Sequence, residues 1–151
     1  MTKKKVLVLG AGGAMGRYIV PVLSRMGFQV DGLVLDDIES TDPNVRYFKC
    51  DAMDPAVRDG FLKAGYDGII DFMIYNTAAL MKYLPRFADS TDHYIYLSSY
   101  RVYDNKEIPV RETSPRLLDT ADDPAIRSSD DYSVYKARGE NIIRALFPRK
   151  N

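Results

Sequence analysis

The stretch Lys5-Val6-Leu7-Val8-Leu9-Gly10-Ala11-Gly12-Gly13-Ala14-Met15-Gly16 decides the fold. After its lysine, the first part alternates Val and Leu, the composition of a strand buried on both faces of a parallel sheet. Glycines follow. The next stretch, Ala14 to Met26, has helical spacing, with Met15, Ile19, Leu23 and Met26 on one face. Strand, glycine turn and helix in that order make an anion-binding corner. Glycine lets the backbone approach a phosphate, and the first helical turn offers it free N–H groups. The same glycines would also serve a turn made only for packing. Pro21 lies inside this helix and is expected to bend it or shift a hydrogen bond, and Gly27 ends it.

Outward from this corner, strands and helices alternate. Phe28 to Leu35 reads as a second strand and Asp36 to Asn44 as a polar loop. Val45 to Cys50 is a third strand and Ala56 to Ala64 a helix. Asp67 to Tyr75, with Ile69-Ile70 and Phe72-Met73-Ile74, is a fourth strand. Thr77 to Ala88 is helical, and His93 to Leu97 is a fifth strand. A long polar connection runs from Asp104 to about Asp130, and a last helix from Asp131 to Phe147 is stopped by Pro148. This alternation predicts an α/β fold: a doubly wound parallel sheet of about five strands in the order 3-2-1-4-5.

The totals narrow the class. A chain of 151 residues suits one domain, and 46% hydrophobic residues can bury a core. Lys plus Arg equals Asp plus Glu at 21 each, which argues against nucleic acid as a partner. The run Lys3-Lys4-Lys5 reads as a solvated start. One cysteine, Cys50, and one histidine, His93, supply neither an internal disulfide nor a zinc site, so no metal is expected and a reducing, cytoplasmic setting fits. Glycines cut the first apolar run too early for a signal sequence. No stretch approaches the roughly 18 apolar residues of a membrane span.

Two further patterns carry chemistry. Tyr132-Ser133-Val134-Tyr135-Lys136 puts Tyr132 and Lys136 four apart, on one helix face. An ammonium beside a phenol favours the phenolate, and such a tyrosine can exchange a proton with a hydroxyl or carbonyl oxygen. A surface Tyr and Lys on an ordinary helix would show the same spacing. Ser98-Ser99 closes the fifth strand, where open α/β sheets bind ligands. A hydroxyl there can hold a substrate oxygen, or simply satisfy a turn.

Taken in order, Gly10 to Gly16, Asp51 after the third strand, Ser98-Ser99-Tyr100-Arg101-Val102-Tyr103, and Tyr132 to Lys136 followed by Glu140 resemble the extended short-chain dehydrogenase/reductases. These are the NAD-dependent epimerases and dehydratases that act mainly on nucleotide sugars. The resemblance covers nearly the whole chain, and the combination is far more specific than any one motif. It implies a Rossmann-type fold, with Ser99 as the catalytic Ser/Thr and Tyr132 as the acid/base. Lys136 would lower the tyrosine pKa and bind the nicotinamide ribose. Gly10, Gly13 and Gly16, with Ala14 and Met15 among them, would form the pyrophosphate turn. Asp51, with Ala52, would meet the adenine edge. In that family the cofactor takes a hydride from a sugar carbon and usually returns it in the same turnover.

Three features depart from the family pattern. The usual ribose-binding acid at the end of the second strand is replaced near that point by Val34, while Asp36 and Asp37 come slightly late. Asp36 is the candidate for the ribose. No Arg or Lys follows to greet a 2′-phosphate, so NAD is favoured and NADP stays open. Phe72 and Met73 stand where many relatives carry small residues, and they would crowd the cofactor unless the backbone differs. Family members are also roughly twice as long, so the chain reads as a truncated cofactor-binding half without its substrate domain. A non-catalytic NAD(P)-binding module and a reductase of a small non-sugar carbonyl are the alternatives. The outer edge of the fifth strand is expected to drive self-association, there or through the helices Thr77–Ala88 and Asp131–Phe147, giving a homodimer. A monomer in which the 104–130 segment covers that edge is the alternative.

Overall fold

A computed structural model describes residues 4–146. Lys3, and Phe147, Pro148 and Asn151 at the other end, lie outside the described residues. Five parallel strands form one sheet: β1 (Lys5–Leu9), β2 (Gln29–Val34), β3 (Val45–Lys49), β4 (Gly68–Asp71) and β5 (His93–Tyr96), in the order β3-β2-β1-β4-β5. The longer helices are α1 (Ala14–Arg25), α2 (Pro55–Leu62) and α3 (Thr77–Ser90). After β5 come a 3-10 turn (Tyr100–Val102), two short helices α4 (Leu117–Thr120) and α5 (Pro124–Ser128), and α6 (Tyr132–Leu146). The chain winds from β1 out to β3, then crosses to the other side of β1 for β4 and β5. This is the doubly wound, Rossmann-type arrangement that the sequence predicts. Among the described residues, two compact units are distinguished: residues 4–73 with 86–96, and residues 74–85 with 97–146.

The first unit contains the whole sheet. Val6 to Leu9 are all buried, as a central parallel strand requires. Val6 and Val8 join Val20, Leu23, Val30, Val34, Val45 and Ile70 in one apolar cluster, with Phe28 and Phe72 packed against it. The buried face of α1 is the expected one only in part: Leu23 is buried and Ile19 packs against the core, but the two methionines turn out. Gly16, Val20, Leu23 and Ser24 face inward, while Met15 and Met26 are 52% and 67% exposed. Gly16 is the reason. A Cβ there would sit 2.5 Å from Ala11 Cα, so only glycine lets the helix lie directly on the turn, and that contact sets its rotation. The helix runs through Pro21 without a break.

The fourth strand is shorter than the apolar run suggests. It ends at Asp71, not Tyr75, because the Asp71 carboxylate accepts the Met73 N–H at 2.7 Å and pulls the chain out of the ladder. Asp71 is itself held from inside. Arg58, on α2, is 1% exposed, and its Nη1 lies 3.9 Å from Asp71 Oδ2. The Arg58 Nε donates to the Ala52 carbonyl, and its guanidinium lies 5.7 Å from the centre of the Phe87 ring. Phe87 stacks on Tyr94, whose hydroxyl donates to Asp71 at 3.3 Å. Burial, and then the Asp71 carboxylate, push the Tyr94 phenol well above its usual range, so it stays a neutral donor. A second polar group sits in β2: Asp31 accepts two bonds of 2.9 Å from Arg46, its register partner on β3, and one of 2.8 Å from Tyr66.

In the second unit the connection expected to be an open polar loop is partly helical, as α4 and α5. Asp123 caps α5 through the Ala125 N–H, with Pro124 in the first turn, a helix start written locally in the sequence.

Because Arg58 and Asp71 are both buried, removing one leaves the other charge without its partner. Arg58→Met is expected to lower unfolding stability by about 3–5 kcal/mol. Urea denaturation of wild type, Arg58→Met, Asp71→Leu and the double variant checks this. The double variant is expected to lose clearly less than the sum of the two single losses.

Candidate functional site

The candidate residues fall into two groups, and each is built by its own unit. In the first unit, β1 delivers the chain into the glycine turn. Gly10 has φ +80°, a conformation that L side chains rarely adopt, and a Cβ on it would lie 2.9 Å from Met73 Sδ. The Gly13 N–H donates to the Gly10 carbonyl at 3.1 Å and closes the turn. Gly13 then caps α1 with an extended backbone and no side-chain hydrogen bond. The first amides of α1, on Ala14, Met15 and Gly16, therefore have no side-chain cap, the arrangement that receives an anion. Arg17 holds the turn from the helix side, its Nε donating to the Gly12 carbonyl at 2.8 Å.

Around this turn, Val34 is buried at the end of β2, and a Cβ on Gly12 would lie 3.3 Å from its Cγ1. Asp36 is exposed two residues later, and Asp37 pairs with Lys49 at 3.4 Å. Asp51 is exposed, with Oδ1 accepting the Met53 N–H at 2.7 Å, and Ala52 is buried behind it. Phe72 turns into the core, whereas Met73 lies against Gly10. The backbone here differs from a continued strand, and Met73 comes nearest the turn, with Phe72 Cβ 3.5 Å from where a Gly10 Cβ would stand.

In the second unit, α6 carries Tyr132, Lys136 and Glu140. Tyr132 is 42% exposed. Lys136 is only 6% exposed, and its Nζ lies 5.8 Å from the centre of the Tyr132 ring. That Nζ donates to the Leu97 carbonyl at 2.8 Å and to Ile74 at 3.4 Å, so the lysine ties the chain ahead of the serine pair to the helix. Ser99 caps the 3-10 turn, its hydroxyl accepting the Arg101 N–H at 3.2 Å. Among the described residues no hydrogen bond joins Ser99 to Tyr132. The neighbouring Tyr135 is buried, and burial, followed by Tyr132 and Asp130, pushes its phenol up and keeps it neutral.

Four residues to which the sequence reading gave no role hold this unit together. Glu140 stood there only as part of a motif; its carboxylate accepts the Ser98 hydroxyl at 2.5 Å and Arg116 Nη1 at 3.0 Å. Arg116 also forks onto Asp119 and reaches Asn141, and the Asp119 bonds first, then Glu140, hold its guanidinium firmly charged. Asp130 accepts the Thr77 N–H and hydroxyl at the start of α3, and Arg138 binds Thr77 together with the Arg127 and Ser129 carbonyls. No local signal marks these long-range pairs.

No family model matches the chain, and no curated protein sequence does. Solved structures do. The epimerase Mth375 from Methanothermobacter thermautotrophicus matches at TM-score 0.71 and 20% identity, over 97% of this chain and 48% of its own. A UDP-galactose 4-epimerase matches at TM-score 0.68 and 20% identity, over 97% of this chain and 52% of its own. The chain shares its fold with these enzymes. A uronate dehydrogenase from Agrobacterium tumefaciens matches at TM-score 0.66 and 23% identity, over 99% of this chain and 58% of its own, and a mutant of it complexed with NAD matches as well. The present chain thus spans about half the length of the structures it matches. The short-chain dehydrogenase/reductase resemblance read from the sequence and these neighbours agree at the level of the Rossmann-type fold. Among the described residues no helix is long and apolar enough to cross a membrane.

The hold of Glu140 on Ser98 and Arg116 is testable. Glu140→Ala removes an acceptor from both and is expected to cost about 1–3 kcal/mol of stability. Glu140→Gln keeps an acceptor for Ser98 and is expected to cost less. Chemical denaturation of the two variants measures the difference.

Proposed function

We propose that this chain is the cofactor-binding part of an extended short-chain dehydrogenase/reductase. In this reading it binds NAD and acts on a nucleotide sugar by transient hydride transfer, with Tyr132 as acid/base. The observation that carries the reading is the pairing on α6: an exposed Tyr132 with the buried Lys136 ammonium 5.8 Å from its ring. The structural neighbours add support, being named epimerases and dehydrogenases.

The residues of the first unit fit a dinucleotide. The glycine-capped start of α1 would take the pyrophosphate on the amides of Ala14, Met15 and Gly16, and Gly10 and Gly13 keep side chains out of its way. Asp36, exposed beyond β2, would bind the adenosine ribose, and Asp51 with Ala52 would meet the adenine edge. Residues 35–44 contain Asp36, Asp37, Glu39 and Asp42 and no Lys or Arg, so a 2′-phosphate would meet like charge. When bound, the nicotinamide supplies hydride acceptance and return. The protein's own part is proton movement: Tyr132 Oη takes the proton from the substrate hydroxyl, and Ser99 Oγ holds that same oxygen. Lys136 keeps positive charge beside the phenol and offers a donor to the ribose. A homodimer and a cytoplasmic setting belong to the same proposal.

A second reading, an NAD-binding module without turnover, draws on Ser99 and Lys136. Both already serve local structure, one as a cap and the other as a main-chain tie.

Calorimetric titration with NAD and NADP, then turnover assays with UDP- and dTDP-sugars, separate the two. NAD is expected to bind more tightly than NADP. Gly13→Val is expected to abolish NAD binding while keeping the fold, since a Cβ at Gly13 would meet only the Gly10 carbonyl, at 3.3 Å. Equal affinity in wild type and variant would remove the glycine turn from the site. Tyr132→Phe is expected to lower turnover by roughly two to four orders of magnitude with NAD binding intact, and Lys136→Met to impair both. NAD binding with no turnover of any sugar by wild type supports the second reading.

A further inference from the structure

Arg101 stands on the 3-10 turn two residues after Ser99, and its backbone N–H donates to the Ser99 hydroxyl at 3.2 Å. Its guanidinium lies 5.4 Å from the centre of the Tyr132 ring. The turn thus delivers a cation to Tyr132 from a residue whose main chain holds the Ser99 hydroxyl; Tyr132 and Ser99 are the two side chains assigned to the reacting oxygen. Unlike Lys136, which is buried and bonded to main-chain carbonyls, Arg101 is exposed. Two other arginines of this unit, Arg116 and Arg138, are matched by carboxylates: Asp119 and Glu140 for the first, Asp130 for the second. Among the described residues Arg101 has no carboxylate within 4 Å. Arg111, Arg127 and Arg144 are also without one, but only Arg101 lies against a side chain assigned to the proton chemistry.

A guanidinium is a planar fork that matches the two oxygens of a carboxylate or phosphate, and it keeps its charge at any working pH. If the substrate hydroxyl sits between Ser99 Oγ and Tyr132 Oη, a group a few bonds further along the same molecule comes within reach of Arg101. We propose that Arg101 pairs with an oxyanion on the substrate close to its reacting hydroxyl, so that the preferred substrate is an acidic sugar derivative. This rests on the reading of Ser99 and Tyr132 given above. The carboxylate of a sugar acid and the phosphate of a sugar nucleotide share this chemistry. Stacking of Arg101 on Tyr132 for its own sake is the competing account.

The test measures binding to the full chain saturated with NADH, whose own binding is first followed by its fluorescence. The probes are galacturonate, UDP-glucose and galactose. Wild type is expected to bind at least one anionic probe about ten times more tightly than galactose, and the one favoured identifies carboxylate or phosphate as the source. Arg101→Met, which keeps the length of the side chain and removes its charge, is expected to erase that preference and leave galactose and NADH affinities unchanged. Arg101→Lys is expected to restore part of it, and raised salt to weaken it in wild type only. An anionic preference that survives in Arg101→Met overturns the proposal, as does no preference in wild type, or an equal loss for galactose, which marks a stacking role. Failure of wild type to bind NADH instead overturns the cofactor reading beneath it, and the proposal falls with it.

Discussion

Two charges with almost no access to solvent, Arg58 on α2 and Asp71 at the end of β4, face each other inside the first unit at 3.9 Å. Charges taken out of water persist only when their remaining bonding capacity is met. Here Arg58 is held by the Ala52 carbonyl, Met53 Sδ and the Phe87 ring, and Asp71 by the Tyr94 hydroxyl and the Met73 N–H. The last of these has the widest consequence. By binding an amide two residues ahead, Asp71 ends β4 and redirects the chain. Phe72 then goes to the apolar cluster and Met73 to Gly10.

The same redirection shapes the turn opposite. β1 and β4 are neighbours in register, Leu9 beside Asp71, at the point where the strand order reverses and where open sheets form a crevice. One wall is the glycine turn, which needs Gly10 at positive φ and Gly16 against Ala11. The other wall is Met73. A thioether on a flexible stem can shift with little cost, so Met73 adapts where a branched side chain would block. Val34 acts differently. Its buried methyl against Gly12 supplies packing at the end of β2, and the first carboxylate after it, Asp36, stands exposed further out.

Much of this was legible in the sequence, for identifiable reasons. Strand order and the glycine corner follow from local pattern: apolar runs, glycines at fixed offsets, and helices between. The helical spacing of Tyr132 and Lys136 is local in the same way. Two errors share a cause, a short-range contact that an apolar pattern does not report: Gly16 meets Ala11 five residues back, and Asp71 binds an amide two residues ahead. The face of α1 was read from its most apolar residues, but Gly16 against Ala11 rotates the helix so that Met15 and Met26 face water. The end of β4 was read from the apolar run, but Asp71 outweighs Phe72-Met73-Ile74 because an aspartate can offer the backbone an alternative to the ladder. Arg58 gave no sign of burial, since an arginine in a short helix is ordinarily a surface residue.

Within the second unit, α6 works as a ruler. Tyr132, Lys136 and Glu140 recur every four residues, so they lie along nearly one stripe of the helix. Each engages the segment after β5 in a different way. Glu140 takes the Ser98 hydroxyl, Lys136 takes the Leu97 carbonyl, and Tyr132 receives the Arg101 guanidinium over its ring. Adjacent residues of an irregular segment are thereby fixed against successive turns of a rigid element. That is how a loop serine can keep a set distance from a helix tyrosine with no direct bond between them. Arg116 extends the device: its Nη1 pairs with Glu140 at 3.0 Å while Nε and Nη2 fork onto Asp119, so it ties the middle of the polar connection to the same helix. The placement of the Ser98-Ser99 segment against α6 therefore depends less on Ser99 and Tyr132 themselves than on Lys136 and Glu140, whose bonds to Leu97 and Ser98 hold that segment to the helix.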